Sequence, residues 1–361
     1  MEAEGFYMNI GAVDHIEFYV GDAQQSAFYL CTAFGFRICG QVGPETGQAD
    51  HRSLLLRQGG IEVVLTSALN PTHPAASYVM QHGDGVANIA FEVDDATRAF
   101  ELAVERGAVA VEQPTVHSKD GTEVVTAAVL GFGDVAHRFV QRTGDRKQFL
   151  PGVMDIIAAD PEAGEELLST VDHAAICLPA GQLRPTVAFY EHVFGFSQIF
   201  EEFIEVGSQA MDSKVVQSPS GKVTFTLIEP VTDRQPGQID TFLARHGGAG
   251  VQHVALLCDD IVGTVQTLEQ RGVTFLQTPG SYYDQLQERF ERSALAIEDL
   301  RRTNVLIDED HWGQVFQIFT QSQHVRKTYF WEVIDRHGAR TFGSGNIKAL
   351  YEAVAREKVV S

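Results

Sequence analysis

Two histidines and one glutamate stand inside apolar, strand-like stretches where such side chains are out of place. His253 lies within Gly250-Val251-Gln252-His253-Val254-Ala255-Leu256-Leu257. Strand alternation puts His253, Ala255 and Leu257 on one face and Gln252, Val254 and Leu256 on the other. His173 occupies an early position in a second such stretch, Val171 to Leu178. Glu332 sits in Thr328-Tyr329-Phe330-Trp331-Glu332-Val333-Ile334-Asp335 and shares its face with Phe330 and Ile334. A carboxylate so placed is costly unless paired or metal-bound, and a buried imidazole needs partners for its ring nitrogens. Two histidines and one carboxylate on three different strands form the ligand set of a facial triad, which leaves open positions on a non-haem Fe(II). Taken singly, each residue favours the plainer role of a hydrogen-bonded core residue. The long intervals between them carry no metal signature of the His-Glu-x-x-His kind.

The elements that must position these residues occur twice. Val13-Asp14-His15-Ile16 recurs as Val171-Asp172-His173-Ala174, and Phe28-Tyr29 with Phe34-Gly35-Phe36 recurs as Phe189-Tyr190 with Phe194-Gly195-Phe196. His82 through Ala90 answers His246 through Ala255, Asp94-Asp95 answers Asp259-Asp260, and Arg106-Gly107-Ala108 answers Arg271-Gly272-Val273. Landmarks repeated in one order mean two copies of one module. The pattern in each copy is strand, helix, several strands, then strand, helix and more strands. In the second copy, strands are expected over Val171 to Leu178, Lys214 to Val216, Val223 to Ile228 and Val273 to Leu276, and helices over Arg184 to Val193 and Asp260 to Arg271. The first copy keeps His15 but has Asn88 in place of His253, and no comparable Glu follows Gly133 to Arg142. It is expected to hold no metal, with His15 a structural residue. An exposed connector is expected between the copies, around Leu150-Pro151-Gly152 and the acidic run Asp160 to Glu166. A terminal helix over Asn346 to Lys358 is expected to cover the mouth of the second module.

Composition narrows the partners. A formal net charge of -21 opposes nucleic-acid binding, because phosphate contacts need Lys and Arg. The apolar share of 44% supplies a core, and no apolar run approaches membrane-spanning length. Four scattered cysteines without Cys-x-x-Cys spacing fit a reduced, cytoplasmic setting.

The whole chain resembles the 4-hydroxyphenylpyruvate dioxygenases and the related 4-hydroxymandelate synthases. The resemblance rests on Gly250-Val251-Gln252-His253, Thr278-Pro279-Gly280-Ser281-Tyr282-Tyr283-Asp284, Gln317-Ile318-Phe319-Thr320, the Glu332 strand, and His337-Gly338-Ala339-Arg340-Thr341-Phe342-Gly343-Ser344-Gly345-Asn346-Ile347. It implies an α+β protein of two tandem vicinal-oxygen-chelate domains built of βαβββ modules. The expected divisions are an N-terminal domain over 1–150 without metal, a linker over 151–168, and a catalytic domain over 169–361 whose open barrel encloses the metal beneath a C-terminal lid helix. It implies Fe(II) held by His173, His253 and Glu332, and a 2-oxo acid substrate, 4-hydroxyphenylpyruvate, that chelates the iron and is oxidatively decarboxylated by dioxygen. A homodimer is compatible with it.

Two products are open under this resemblance. The dioxygenases oxidise the ring to homogentisate, and the synthases hydroxylate the benzylic carbon to 4-hydroxymandelate, a building block associated with peptide antibiotics. The dioxygenases carry Pro-Leu/Ile-Asn-Glu-Pro where this chain has Thr226-Leu227-Ile228-Glu229-Pro230, and Gly-Asn-Phe where it has Gly345-Asn346-Ile347. Both exchanges favour the synthase. Ser213, Gln238 and Gln317 match polar positions of the family's pocket, and Phe319, Phe330 and Phe342 match its apolar wall. Gln252 is expected behind His253, on the opposite strand face. An extradiol catechol dioxygenase and a non-catalytic binding protein are the competing classes, distinguished by catechol turnover and by an absence of bound iron respectively.

Overall fold

The computed structural model describes residues 8–157, 166–290, 292–341, 343, 345–346 and 348–349, with 287 and 288 described for their backbone only. The first module runs β1 (Ile10–Tyr19), α1 (Ala23–Tyr29), β2 (Arg37–Val42), β3 (His51–Gln58), β4 (Ile61–Ala68), α2 (Pro74–His82), β5 (Gly85–Val93), α3 (Ala96–Glu105), β6 (Ala110–Lys119), β7 (Thr122–Phe132) and β8 (Val135–Thr143), with a short β9 (Asp155–Ile156). The second runs β10 (Thr170–Cys177), α4 (Leu183–Phe189), β11 (Ser197–Val206), β12 (Gln209–Gln217), β13 (Thr224–Pro230), α5 (Gln238–His246), β14 (Gly250–Leu257) and α6 (Ile261–Gln270). After three short helices, α7 (Gly280–Asp284), α8 (Leu286–Arg289) and α9 (Ile297–Thr303), it closes with β15 (Leu306–Asp310), β16 (Gly313–Phe319) and β17 (Phe330–His337).

Each module forms one half-barrel sheet, and the two are threaded alike. The orders are β6-β7-β8-β5-β1-β4-β3-β2-β9 and β11-β12-β13-β10-β14-β17-β16-β15, which coincide strand for strand when one is reversed and β9 is set aside. The repeated landmarks are mostly chain-direction devices. Asp95 and Asp260 cap α3 and α6 by accepting from Arg98 N and Gly263 N at 2.9 and 3.0 Å. In Phe-Gly-Phe, Gly35 and Gly195 take φ of 83° and 71°, the left-handed conformation that ends a helix and suits glycine. The helix expected over Arg184 to Val193 is α-helical only to Phe189; Tyr190–Phe194 widens into a π-type turn, as does Leu30–Phe34 in the first module.

Two expectations are corrected. Val273 to Leu276 is no strand: Phe275 makes a single bridge to Thr320, after which Pro279 opens the insertion that carries α7 to α9. The connector is not wholly exposed, since Phe149 and Met154 are buried against Cys39, Leu55 and Val64 inside the first half-barrel, and β9 pairs with β2. The hydrophobic effect holds these residues, which plug the first module from within. The two modules share one large core. Phe18 of β1 packs 5.4 Å from Trp331 of β17, and His137 Nε2 lies 2.7 Å from Tyr190 Oη across the seam. All four cysteines are free, and among the described residues no helix is long and apolar enough to cross a membrane. Phe342, Ile347 and most of the expected terminal helix lie outside the described residues.

Candidate metal centre

Strands β10, β14 and β17 are neighbours in the second sheet, so three ligands far apart in sequence fall on one patch. His173 pairs with Ala255, Ala255 with Glu332, and His253 with Phe330, which puts all three ligand side chains on the inner face. Glu332 Oε2 lies 3.4 Å from His173 Nε2 and 3.3 Å from His253 Nε2. Their exposures are 1%, 4% and 7%, so a carboxylate and two imidazoles converge away from solvent. Donors about 2.1 Å from one ion and at right angles to each other stand roughly 3 Å apart, so the set fits a metal bound on one triangular face. The two rings stand at 81° to each other.

Alternation would turn the residue before each histidine away from it, but a β-bulge intervenes in both places. Register shifts fall between Val171 and His173 and, opposite Ala175 and Ile176, at Gln252. Asp172 Oδ1 therefore reaches His173 Nδ1 at 2.8 Å, and Gln252 Oε1 reaches His253 Nδ1 at 3.3 Å. Gln252 is thus beside His253, not on the opposite face as expected. With a proton held on each Nδ1, each Nε2 presents its lone pair inward. Arg336 braces Asp172 through Nε and Nη2 at 2.7 and 2.8 Å. Gln317 Nε2 donates to Glu332 Oε1 at 2.8 Å, leaving Oε2 to face the histidines.

The electrostatics match a cation site. Burial opposes ionisation of Glu332, yet His173 and His253 hold its carboxyl down at about 2. Burial also opposes charge on His173, but Glu332 and Asp172 outweigh it and push the imidazole up to about 9. Burial keeps His253 below the usual histidine range. Without a metal, a proton shared by this cluster supplies the positive charge.

The remaining candidates divide. Ile228, Phe319 and Phe330 join Ala175, Cys177, Ile204 and Met211 in one apolar wall beside the ligands, and Phe330 stacks on the His253 ring at 5.0 Å. Ser213 pairs across from Ile228, and Thr226 lies two residues before it with its Oγ1 buried and without a hydrogen-bond partner. Gln238 stands at the start of α5, along a crevice lined by Ile204, Met211 and Pro230. Asn346 is buried and donates to Gln317 Oε1 at 2.7 Å. Sequence reading missed Asp172, Arg336 and Tyr282. The signal for the first was present in the repeated Val-Asp-His, but alternation hid it.

The first module keeps part of this arrangement. His15 Nδ1 is 2.7 Å from Asp14 Oδ1, and Arg142 grips Asp14 as Arg336 grips Asp172. Asn88 stands at the position of His253. Pairing of β8 with β5 sets Arg138 opposite Ala90, as Glu332 is set opposite Ala255. Arg138 lies 3.3 Å from Glu17 and 2.8 Å from Glu112. Among the described residues a further group, Asp50, His51 and His73, lies within ligand distance. Its two imidazoles stack at 4.7 Å and 25°, so their in-plane lone pairs do not converge on a common point.

Comparison with known proteins agrees with this architecture. Residues 8–158 match the hydroxyphenylpyruvate dioxygenase N-terminal family, and residues 170–318 match the glyoxalase/bleomycin resistance protein/dioxygenase superfamily. The 4-hydroxyphenylpyruvate dioxygenase of Yarrowia lipolytica is 35% identical over 96% of this chain and 91% of its own length. That of Dictyostelium discoideum is 35% identical over 96% and 97%. A solved structure of a triple variant of 4-hydroxymandelate synthase from Streptomyces coelicolor is 47% identical, with a TM-score of 0.89 over 97% of this chain and 100% of that one. Two modules of one threading, a buried His-His-Glu cluster found, among the described residues, in the second, and full-length likeness together place this chain in the 4-hydroxyphenylpyruvate dioxygenase family, whose members include the hydroxymandelate synthases.

Proposed function

We propose that the protein converts 4-hydroxyphenylpyruvate and dioxygen to 4-hydroxymandelate and carbon dioxide, using Fe(II) held by His173, His253 and Glu332. The observation that carries this reading is Ile228, an aliphatic side chain in the pocket wall where the dioxygenases carry an asparagine amide. Bound Fe(II) would supply open positions at which a 2-oxo acid and dioxygen are brought together.

The chain's own residues do the rest. Asp172 and Gln252 fix the histidine tautomers, and Gln317 fixes which glutamate oxygen faces inward. Ile228, Phe319 and Phe330 hold the substrate ring by apolar contact and exclude water. The unpartnered Thr226 hydroxyl offers the one hydrogen bond that Ile228 cannot. Products oxidised at carbons one bond apart are separated by a small change in ring position, which such a wall sets.

Homogentisate is the alternative product, favoured by the named sequence relatives, which are 4-hydroxyphenylpyruvate dioxygenases. Turnover of 4-hydroxyphenylpyruvate with Fe(II), followed by chromatography and NMR, separates the two products, which are isomers of equal mass. 4-Hydroxymandelate is expected as the main product, and homogentisate in its place would overturn the proposal. Ile228→Asn is expected to move part of the product toward ring oxidation.

A further inference from the structure

Behind Glu332, three side chains form a single file of hydrogen bonds. Tyr282 Oη lies 3.3 Å from Asn346 Oδ1, Asn346 Nδ2 donates to Gln317 Oε1 at 2.7 Å, and Gln317 Nε2 donates to Glu332 Oε1 at 2.8 Å. An ionised carboxylate only accepts, so Gln317 must present its NH2 to Glu332. Its carbonyl then faces Asn346, which must present its own NH2. The Asn346 carbonyl is left for the hydroxyl of Tyr282. Turning Gln317 over would set its carbonyl against the carboxylate and its NH2 against that of Asn346, and turning Asn346 over would set carbonyl against carbonyl. Hydrogen bonds of one polarity strengthen each other, and both amide bonds point at the metal-facing carboxylate.

The file joins two parts of the molecule. Tyr282 belongs to α7, in an insertion that the first module lacks; its hydroxyl accepts from Ile307 N at 2.9 Å and has one proton to donate, with Ile307 O at 2.9 Å and Asn346 Oδ1 at 3.3 Å as the acceptors within reach. Asn346 belongs to the C-terminal segment, which Gly345 N ties to Asp308 Oδ2 at 2.8 Å. Asn346 is 0% exposed, so its amide has no water to replace Gln317.

We propose that Asn346 and Gln317, with Tyr282 behind them, form a relay through which docking of Gly345 and Asn346 on Asp308 and Gln317 and metal binding at Glu332 strengthen one another. Tyr282 is a positioning residue: fixed on Ile307, its hydroxyl faces the Asn346 carbonyl; Asn346 orients Gln317, which keeps Glu332 Oε2 turned toward the two histidines. Linkage makes the effect reciprocal, so a bound metal tightens the segment as much as the docked segment tightens the metal. The inference rests on the metal reading proposed above.

The test uses the full chain and Co(II) as the probe. Co(II) affinity is read from the visible spectrum, and docking from amide hydrogen exchange of the peptide that contains Gly345 and Asn346, with and without Co(II). In the wild type, Co(II) is expected to slow exchange in that peptide several-fold. Asn346→Ala is expected to weaken Co(II) binding about 10-fold, and Tyr282→Phe, which keeps the ring and its packing, about 3-fold. Both should lose the Co(II)-induced protection while exchange in the first module stays unchanged. Wild-type affinity and protection in Tyr282→Phe and Asn346→Ala would overturn the relay and leave the metal site standing. No Co(II) binding by the wild type would overturn the metal reading and the relay together.

Discussion

The inner face of each half-barrel carries one row of residues at its centre: His15, Asn88 and Arg138 in the first module, His173, His253 and Glu332 in the second. The difference is in who provides the positive charge. In the first module the guanidinium of Arg138 sits between Glu17 and Glu112, and burial notwithstanding, those carboxylates raise its pKa further. In the second the carboxylate is the fixed charge, balanced by a proton drawn onto His173 or, under the proposed function, by a metal. The supporting pair is unchanged, since Asp14 with Arg142 and Asp172 with Arg336 make the same contacts to their histidines and to each other. That pair therefore serves the fold first, by satisfying a buried imidazole next to a bulge, and serves a metal only where the other two ligands are present.

The largest expected effect separates the rows directly. Glu332→Ala removes the only carboxylate of the buried cluster and is expected to lower turnover at least ~1000-fold, as loss of a positioned metal ligand removes the chemistry itself. Arg138→Met at the matching position is expected to leave turnover within about twofold. It should instead lower the denaturation midpoint, because Glu17 loses its buried partner at a cost of about 3 kcal/mol. Steady-state rates set beside urea unfolding of both variants check this, and a large rate loss in Arg138→Met would break the comparison.

A smaller effect is expected one layer out. Asp172→Asn weakens the hold on His173 Nδ1 and is expected to cost 10–100-fold in Co(II) affinity, the usual weight of a partner behind a metal-bound histidine. Asp14→Asn removes the same contact in the first module and should leave Co(II) affinity unchanged. Titration of both variants with Co(II) decides it; equal losses would mean that the two modules are coupled through the seam.

Rebuilding the row is a sharper and weaker experiment. Asn88→His with Arg138→Glu restores both exchanged positions on a strand scaffold of the same register. A second Co(II) equivalent is expected by equilibrium dialysis, with much lower affinity than the first. Phe149, packed edge-on to His15 at 4.9 Å, and the residual charge of Glu17 stand where open coordination positions would be needed. A stoichiometry that stays at one would show that this plug, and not the ligand identities, is what opposes metal binding in the first module.

What the sequence disclosed was whatever obeys a period or a repeat. The two modules and the three convergent ligands follow from alternation and from repeated landmarks, and the pocket roles of Ile228, Phe319 and Phe330 from the family resemblance. Hidden were the features that interrupt a period. The bulges at Asp172 and Gln252 turn each residue toward the histidine beside it, which alternation forbids, so Asp172 was overlooked and Gln252 was set on the wrong face. Arg138 is illegible in the sequence because an arginine gives no sign of standing in for a carboxylate ligand, and only the pairing of β8 with β5 shows the equivalence. Val273 to Leu276 has the composition of a strand but loses its partner to the insertion, a tertiary effect that no local pattern contains.

The seam between the modules carries the last contrast, between histidines that must stay neutral and one that is drawn into charge. His246 stacks on His82 at 4.3 Å and is held at about 4, mainly by burial and then by His82; His137 is held near 3 by burial alone among its lowering causes. Each binds fewer protons folded than unfolded between its own value and about 6.5, so each makes stability rise with pH across that window and fall on acidification. For His246 the swing is on the order of 3 kcal/mol, at about 1.4 kcal/mol per pKa unit. His173 runs the other way: raised by Glu332 and Asp172 against its burial, it stabilises the metal-free protein at low pH and loses that contribution as pH climbs above 6.5 toward about 9. A metal-free sample should therefore unfold most reluctantly near neutrality. Metal should lift the alkaline limb alone, because the cation replaces the proton at His173 and does not touch the seam. Urea midpoints from pH 4 to 9, with and without Co(II), test both limbs. His246→Gln should make the acid limb shallower and leave the alkaline limb unchanged, with the His137 share remaining, and a metal effect on the acid limb would join two regions that the structure keeps apart.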